Sequence, residues 1–214
     1  TININFDLKI SGSGPGTILT KASSFAAGTA LSGALVDMGT SIFMIGTSSN
    51  TSDDDIAYGV TLSNFTYVTS TDLDYVGAVI SICQPIEKDS VVIARKATYV
   101  FNNINFDGPV GIDGSIADPN KIGEYAFVIG QQNPNTLAAI GNITLGNIII
   151  SGCRFNRMGL ENGAIKFLES ASAVYQDIIV SQSIITRGSP NVVNTAPIAI
   201  EYPTTSTVQN IIEV

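Results

Sequence analysis

Acidic side chains are the residues of this chain best suited to catalysis. The 214 residues include no histidine and two cysteines, so neither a Ser-His-Asp nor a Cys-His arrangement can form within the chain. Two carboxyl groups roughly 5 to 9.5 Å apart can hydrolyse a glycosidic bond, one as the acid and the other as the nucleophile or base. Glu169 and Glu201 each follow a short apolar stretch. We choose them as the candidate catalytic pair, with solvated loop charges as the alternative interpretation.

Tyrosines supply the candidate sugar contacts, because the chain has no tryptophan. Tyr125 and Tyr202 fall at the edges of apolar stretches, where an aromatic ring can stack on a sugar. Half-buried packing is the alternative role for a tyrosine at a strand edge. Both residues are named here as candidate ligand-binding residues.

No metal or cofactor is predicted. Asp53-Asp54-Asp55 offers oxygen ligands, but the spacing matches no calcium loop, and a solvated loop tip is the competing interpretation. Cys83 and Cys153 have no histidine to join them in a zinc site, so they are predicted to be small buried or half-buried side chains. The Gly-rich stretch 11–16 lacks the lysine of a phosphate-binding loop.

Charge and hydropathy limit the partners. Ten basic and eighteen acidic residues give a net charge of −8, which argues against nucleic acid as a partner, because its phosphates require a basic face. No apolar run approaches the roughly 18 residues of a membrane span. Membrane insertion is therefore not expected.

The elements that must position these residues are short strands that recur along the chain. Each of four tetrads begins with an apolar residue, then a Ser or Asn, then a turn-tolerant residue. The four are Leu62-Ser63-Asn64-Phe65, Phe101-Asn102-Asn103-Ile104, Ile150-Ser151-Gly152-Cys153 and Val180-Ser181-Gln182-Ser183. Residues 3–7 repeat residues 103–107 letter for letter, which assigns them to the same column. A second column contains Phe43-Met44-Ile45-Gly46, Ile80-Ser81-Ile82-Cys83, Phe127-Val128-Ile129-Gly130, Ile165-Lys166-Phe167-Leu168 and Ile198-Ala199-Ile200-Glu201.

Columns that recur in a constant order predict an all-β chain, a right-handed parallel β-helix of about five coils with three short strands per coil and corner loops of variable length. Asn and Gly tolerate the left-handed backbone of a sharp corner. The residues at the predicted corner are Asn64, Asn103, Gly152 and Gln182. One β-helix domain is assigned to 1–214, with a long loop insertion at 8–41. Both ends fall in mid-coil, so we expect a segment of a longer chain.

This arrangement places Glu169 and Glu201 at the ends of first strands on successive coils, at registers that differ by one residue. Neighbouring strands lie about 4.8 Å apart, which predicts a carboxylate separation of about 5 to 8 Å. The repeat also predicts a column of outward-facing residues, one from each coil, that runs along the axis of the β-helix. This column is too apolar for a solvated face. Its members are Thr61, Val100, Ile149, Ile179 and Ile212. Either a loop or another subunit is expected to cover it.

The repeated strands and corners resemble the pectin-lyase-like right-handed parallel β-helix, which is seen in polysaccharide lyases, polygalacturonases and bacteriophage tailspikes. The likeness to tailspikes implies an extracellular virion protein, a homotrimer that binds a bacterial surface polysaccharide and hydrolyses it if it is an enzyme. Lyase chemistry is less expected, because the ten Lys and Arg residues are scattered over the coils. The alternatives are a non-catalytic structural or adhesive β-helix of a virion or cell surface, and a secreted monomeric polysaccharide-degrading enzyme.

Overall fold

The chain is all-β throughout the residues that the structure describes. The computed structural model describes residues 2–20, 41–46, 56–68, 78–108, 125–133, 136, 138–156, 164–186, 200–201 and 206–213, and contains no helix among them. The strands are β1 (Ile2–Ile4), β2 (Leu8–Ser11), β3 (Ile18–Thr20), β4 (Phe43–Ile45), β5 (Gly59–Val68), β6 (Ala78–Ile82), β7 (Glu87–Lys88), β8 (Val91–Val92), β9 (Thr98–Asp107), β10 (Tyr125–Ile129), β11 (Ile143–Ser151), β12 (Arg154–Asn156), β13 (Ile165–Phe167), β14 (Val174–Ser181), β15 (Ile184–Thr186), β16 (Ile200–Glu201) and β17 (Thr207–Glu213).

Two sheets contain these strands, and the chain alternates between them. The first sheet has the order β1-β4-β6-β10-β13-β16, and every pairing in it is parallel. The second sheet contains the other strands, which pair in parallel except where β7 pairs with β8 and β11. Each return of the chain to a sheet adds a strand beside the one from its previous visit. The prediction of an all-β chain with parallel sheets is confirmed.

The predicted corner between strands is also confirmed. Asn64, Asn103, Gly152 and Gln182 have φ angles of 59°, 54°, 62° and 50°, all in the left-handed region. Residues on either side pair in register, since Leu62 lies opposite Phe101 and Ile150 lies opposite both Phe101 and Val180. There is little space for a side chain at position 152, because a Cβ added to Gly152 would lie 2.5 Å from Oδ1 of Asn103.

A second left-handed corner was not predicted. Asn147, Asp177 and Asn210 have φ angles of 57°, 54° and 53°, and the pairing of their neighbours aligns them in one column. The Asn210 side-chain amide donates a hydrogen bond of 3.1 Å to Oδ1 of Asp177. This corner lies within β11, β14 and β17, so each of these long strands bends at it.

The assignments at the start of the chain are corrected by the register. Residues 3–7 were placed in the tetrad column, but β1 pairs with β4 in the first sheet, with Ile2 opposite Phe43. The loop insertion predicted at 8–41 does not begin at residue 8, because β2 and β3 both pair with β5. The reason is that Leu8 and Ile10 alternate like their buried partners Val60 and Leu62. Residues 21–40 lie outside the described part of the chain.

The core lies between the two sheets and is dominated by aromatic rings. The Phe127 ring is 4.9 Å from that of Phe101 and 5.3 Å from that of Phe106, and Phe106 stacks on Phe155 at 5.4 Å. The first sheet is buried on its outer face as well. Its outward residues Met44, Ser81, Val128 and Lys166 are at most 7% exposed. Cys83 and Cys153 are buried free thiols, as predicted.

Candidate functional site: a polar cleft beside a hairpin

A short hairpin forms one wall of the candidate site. Strands β7 and β8 are joined by Asp89 and Ser90, whose φ angles of 49° and 65° are both left-handed. Two residues with positive φ are typical of the tight turn that matches the twist of paired strands. The Asp89 N–H donates a hydrogen bond of 2.8 Å to the Asn142 carbonyl oxygen, which ties the turn to the chain just before β11. The hairpin therefore has a fixed position on the edge of β11.

The cleft lies between this hairpin and the starts of β11 and β14. It is open and has a volume of about 430 Å³, and the residues that line it are Glu87, Asp89, Ser90, Asn142, Ile143, Thr144, Ser172 and Val174. The Asn142 N–H donates to the Ser172 carbonyl oxygen at 3.1 Å and to its Oγ at 3.2 Å. The segments that lead into β11 and β14 are thereby held together beside the cleft.

One cross-strand row explains why the lining mixes polar and aliphatic groups. Glu87 lies opposite Val92 on one side and Thr144 on the other, and Thr144 lies opposite Val174. Directly opposite residues present their side chains on the same face of a sheet. Val92 is 51% exposed, so this row places an exposed aliphatic group beside a carboxylate and a hydroxyl.

An ion pair orients the Glu87 carboxylate. Nη2 of Arg95 lies 2.8 Å from Oε2 of Glu87, with the two side chains 62% and 28% exposed. An exposed pair of this kind contributes about 0 to 1 kcal/mol to stability, so its main effect is to restrict where the carboxylate points. Asp89, the other acidic residue in the lining, makes no ion pair with the described residues.

The candidate pair Glu169 and Glu201 is farther apart in register than predicted. Glu201 lies opposite Lys166, three residues before Glu169, so the offset is three residues rather than one. The sequence alignment placed Ile198 opposite Ile165, whereas the structure places Ile200 there. A shift of two residues keeps every side chain on the same face of the sheet, so the apolar pattern does not distinguish the two registers. The side chain of Glu201 lies outside the described part of the structure.

Glu169 itself is exposed and lies close enough to a buried tyrosine to affect its titration. Burial, and to a lesser extent the negative charge of Glu169, raises the pKa of Tyr175 well above its ordinary value. The Tyr175 hydroxyl donates a hydrogen bond of 2.5 Å to the Leu168 carbonyl oxygen. Glu169 thus borders the interior at the corner between the two sheets.

The structure corrects the role predicted for Tyr125. Its side chain is 1% exposed and packs with Met44, Val128 and other apolar residues on the outer face of the first sheet. Nζ of Lys166 lies 5.5 Å from the centre of its ring. The ring is used in packing, so it presents no face on which a sugar could stack. Tyr202 and Asp53–Asp55 lie outside the described residues.

The outward aliphatic column is formed as predicted by backbone register. Thr61 lies opposite Val100, Val100 opposite Ile149, and Ile149 opposite Ile179. All four side chains are partly exposed, so a strip of aliphatic surface crosses the second sheet. The backbone of Ile212 continues the column beside Ile179.

No known protein family, curated protein or solved structure matches this chain. Among the residues that the structure describes, no cluster of three or more acidic or cysteine side chains could hold a metal ion. The same part of the chain has no helix long and apolar enough to cross a membrane.

None of the residues that line the cleft is among the candidate site residues predicted from the sequence. The signal that could have revealed it is Asp89-Ser90, two turn-forming residues between the short apolar or charged pairs of β7 and β8. Position 142 carries an asparagine at a φ of 56°, another corner that an isolated Asn in a Gly-Asn dipeptide could have suggested.

Proposed function

We propose that this chain forms a right-handed parallel β-helix and binds a bacterial surface polysaccharide in the cleft lined by Glu87, Asp89, Asn142, Thr144 and Ser172. Three features support the β-helix: the alternation of the chain between two parallel sheets, the constant register, and the repeated left-handed corners. The right hand follows from the strong preference for right-handed crossovers between parallel strands of one sheet.

The cleft is the observation on which the binding proposal rests. Its hydroxyl, amide and carboxylate groups can exchange hydrogen bonds with sugar hydroxyls. Val174 lines the same cleft and Val92 lies in the same row, which provides aliphatic contacts for the C–H faces of a pyranose ring. An open cleft that crosses successive turns suits a linear glycan rather than an enclosed small molecule.

The proposal includes the oligomeric state and location of the protein, a homotrimer in a virion. The partly exposed column of Thr61, Val100, Ile149 and Ile179 supports side-by-side packing of three copies, as in a virion tailspike. The same column supports the second candidate function, a structural or adhesive β-helix without catalysis. A secreted monomeric enzyme is the remaining alternative, and a monomer in solution would favour it.

The binding experiment uses one cleft variant and one matched control. Thr144→Arg places a large side chain in the cleft, whereas Thr98→Arg makes the same change at an exposed strand position outside it. Purified chains are titrated against a panel of bacterial O-antigens and capsular polysaccharides, with release of reducing ends measured in parallel. Binding by the wild type and the control, with at least tenfold weaker binding by Thr144→Arg, is the expected result. Equal binding by both variants would refute the cleft as the site.

Sedimentation velocity distinguishes the assembled from the monomeric alternatives. The wild type is expected to sediment as a trimer. Ile149→Asp is expected to dissociate it, because a buried unpaired carboxylate at an interface is strongly unfavourable. Ala171→Asp makes the same change of charge at an exposed turn position outside the column and serves as the control. A wild-type monomer would remove the support for the tailspike-like trimer.

A further inference from the structure

The cleft carries an excess of negative charge. Glu87 and Asp89 are the only ionisable residues among its eight described lining residues, and the chain as a whole has a net charge of −8. Among the described residues, the one cation in an ion pair with either is Arg95, which is paired with Glu87. Asp89 keeps its charge without an ion-pair partner among the described residues.

The nearby lysine does not offset this charge within the cleft. Lys88 lies between the two acidic residues in sequence, but it is opposite Ile143 and Val91. Successive residues of a strand point to opposite faces, so Lys88 faces away from Glu87. It is absent from the residues that line the cleft.

We propose that the cleft selects its glycan by charge, favouring sugars with free amino groups and rejecting uronates and other anionic sugars. This inference rests on the proposed function, since it specifies the class of polysaccharide bound at the same site. A protonated amine near Asp89 is attracted, and a carboxylate at the same position is repelled. At low ionic strength and a separation of about 5 Å in a solvent-like dielectric, one such charge changes the binding constant about fourfold. The preference weakens as added salt screens exposed charges.

The test compares three classes of oligosaccharide that differ in charge, of which the chitosan and N-acetylated pair shares one backbone. Chitosan oligosaccharides carry free amines, N-acetylated chito-oligosaccharides of the same length are neutral, and oligogalacturonates are anionic. Affinities for the wild-type chain are measured by titration calorimetry at low and high salt. The expected order is chitosan first, then the neutral oligosaccharide, then galacturonate, and the differences should shrink at high salt.

Asp89→Asn isolates the proposed charge. Asn accepts the left-handed φ of 49° at this position, so the fold and the shape of the cleft are retained. The variant is expected to lose about fourfold more affinity for chitosan than for the neutral oligosaccharide, so the ratio of the two affinities falls about fourfold. Asp177→Asn is the matched control, because Asp177 is also exposed and left-handed but does not line the cleft.

The outcomes separate this inference from the proposed function. If the neutral oligosaccharide binds as tightly as the charged ones, or if Asp89→Asn leaves the preference for chitosan intact, charge selection is overturned but the proposed function is not. Absence of binding to all three ligands and to the bacterial polysaccharide panel overturns both.

Discussion

Replacing Gly152 by alanine is expected to destabilise the fold by about 2 kcal/mol. A left-handed conformation costs a residue with a Cβ about 1 to 2 kcal/mol, and Gly152 has a φ of 62°. The new Cβ would also lie 2.5 Å from Oδ1 of Asn103. The Asn103 amide donates to Oδ1 of Asn64 at 3.3 Å, so moving it disturbs a hydrogen bond between neighbouring corners.

The control for this substitution is Gly59→Ala. A Cβ at Gly59 would have no heavy atom within 4 Å, and Gly59 is not in the left-handed region. Alanine there is expected to be neutral or to stabilise by up to about 1 kcal/mol, because it restricts the unfolded chain. Both free energies of unfolding are measured by urea titration followed by circular dichroism.

A double-mutant cycle separates the two causes. In an Asn103→Gly background the steric conflict is absent, so Gly152→Ala should cost about 1 to 2 kcal/mol from the backbone alone. Equal effects of Gly152→Ala and Gly59→Ala, or a cost at Gly152 within about 0.5 kcal/mol of zero, would refute a steric and conformational requirement for glycine at this corner.

Three further predictions concern the corner, the core and the buried thiol. Gln182→Asn should stabilise by about 0.5 kcal/mol in the same urea assay, because Asn adopts left-handed angles more readily than Gln; destabilisation would contradict this. Phe127→Ala should cost about 3 to 5 kcal/mol, since it removes a ring packed on Phe101, Phe106 and Phe155, and a cost below about 1 kcal/mol would show that the core is not packed as described. Burial raises the pKa of Cys153 from 9.0 to about 11, so the stability that the neutral thiol contributes is present below pH 9 and is lost as pH rises to 11. Compared at pH 7.5 and pH 10.5, the wild type should therefore lose about 2 kcal/mol more than Cys153→Ala, and parallel losses would contradict the assignment.

The strand columns could be predicted because they depend on local pattern. Alternating apolar residues identify the strands, and an Asn or Gly at a fixed position identifies the corner at Asn64, Asn103 and Gly152. Both patterns involve residues only a few positions apart, so they can be recognised in a single sequence. The second corner at Asn147 and Asp177 carries the same signal and was overlooked.

The functional residues depended on information that local pattern does not hold. Strict alternation would turn Tyr125 inward with Phe127 and Ile129, yet its ring packs with Met44 and Val128 on the outer face of the first sheet. That face is buried, which only tertiary packing determines. The register of Glu201 is ambiguous by two residues in a short run of Ile and Ala. The cleft requires a hairpin to dock on the edge of β11, a contact between Asp89 and Asn142 that are 53 positions apart.

The alternation of the chain between two sheets has a consequence for how the protein folds. Paired strands come from distant parts of the sequence, as when Val100 meets Ile149 and Ile165 meets Ile200. Contacts of this kind close long loops before any pairing energy is gained, so folding is slow compared with helical or hairpin-rich domains. The β7–β8 hairpin is a local exception among the described strands, and it forms without waiting for a neighbouring turn. We expect each paired strand to act as the template for the next strand of the same sheet, so that the parallel sheets grow outward from a first nucleus.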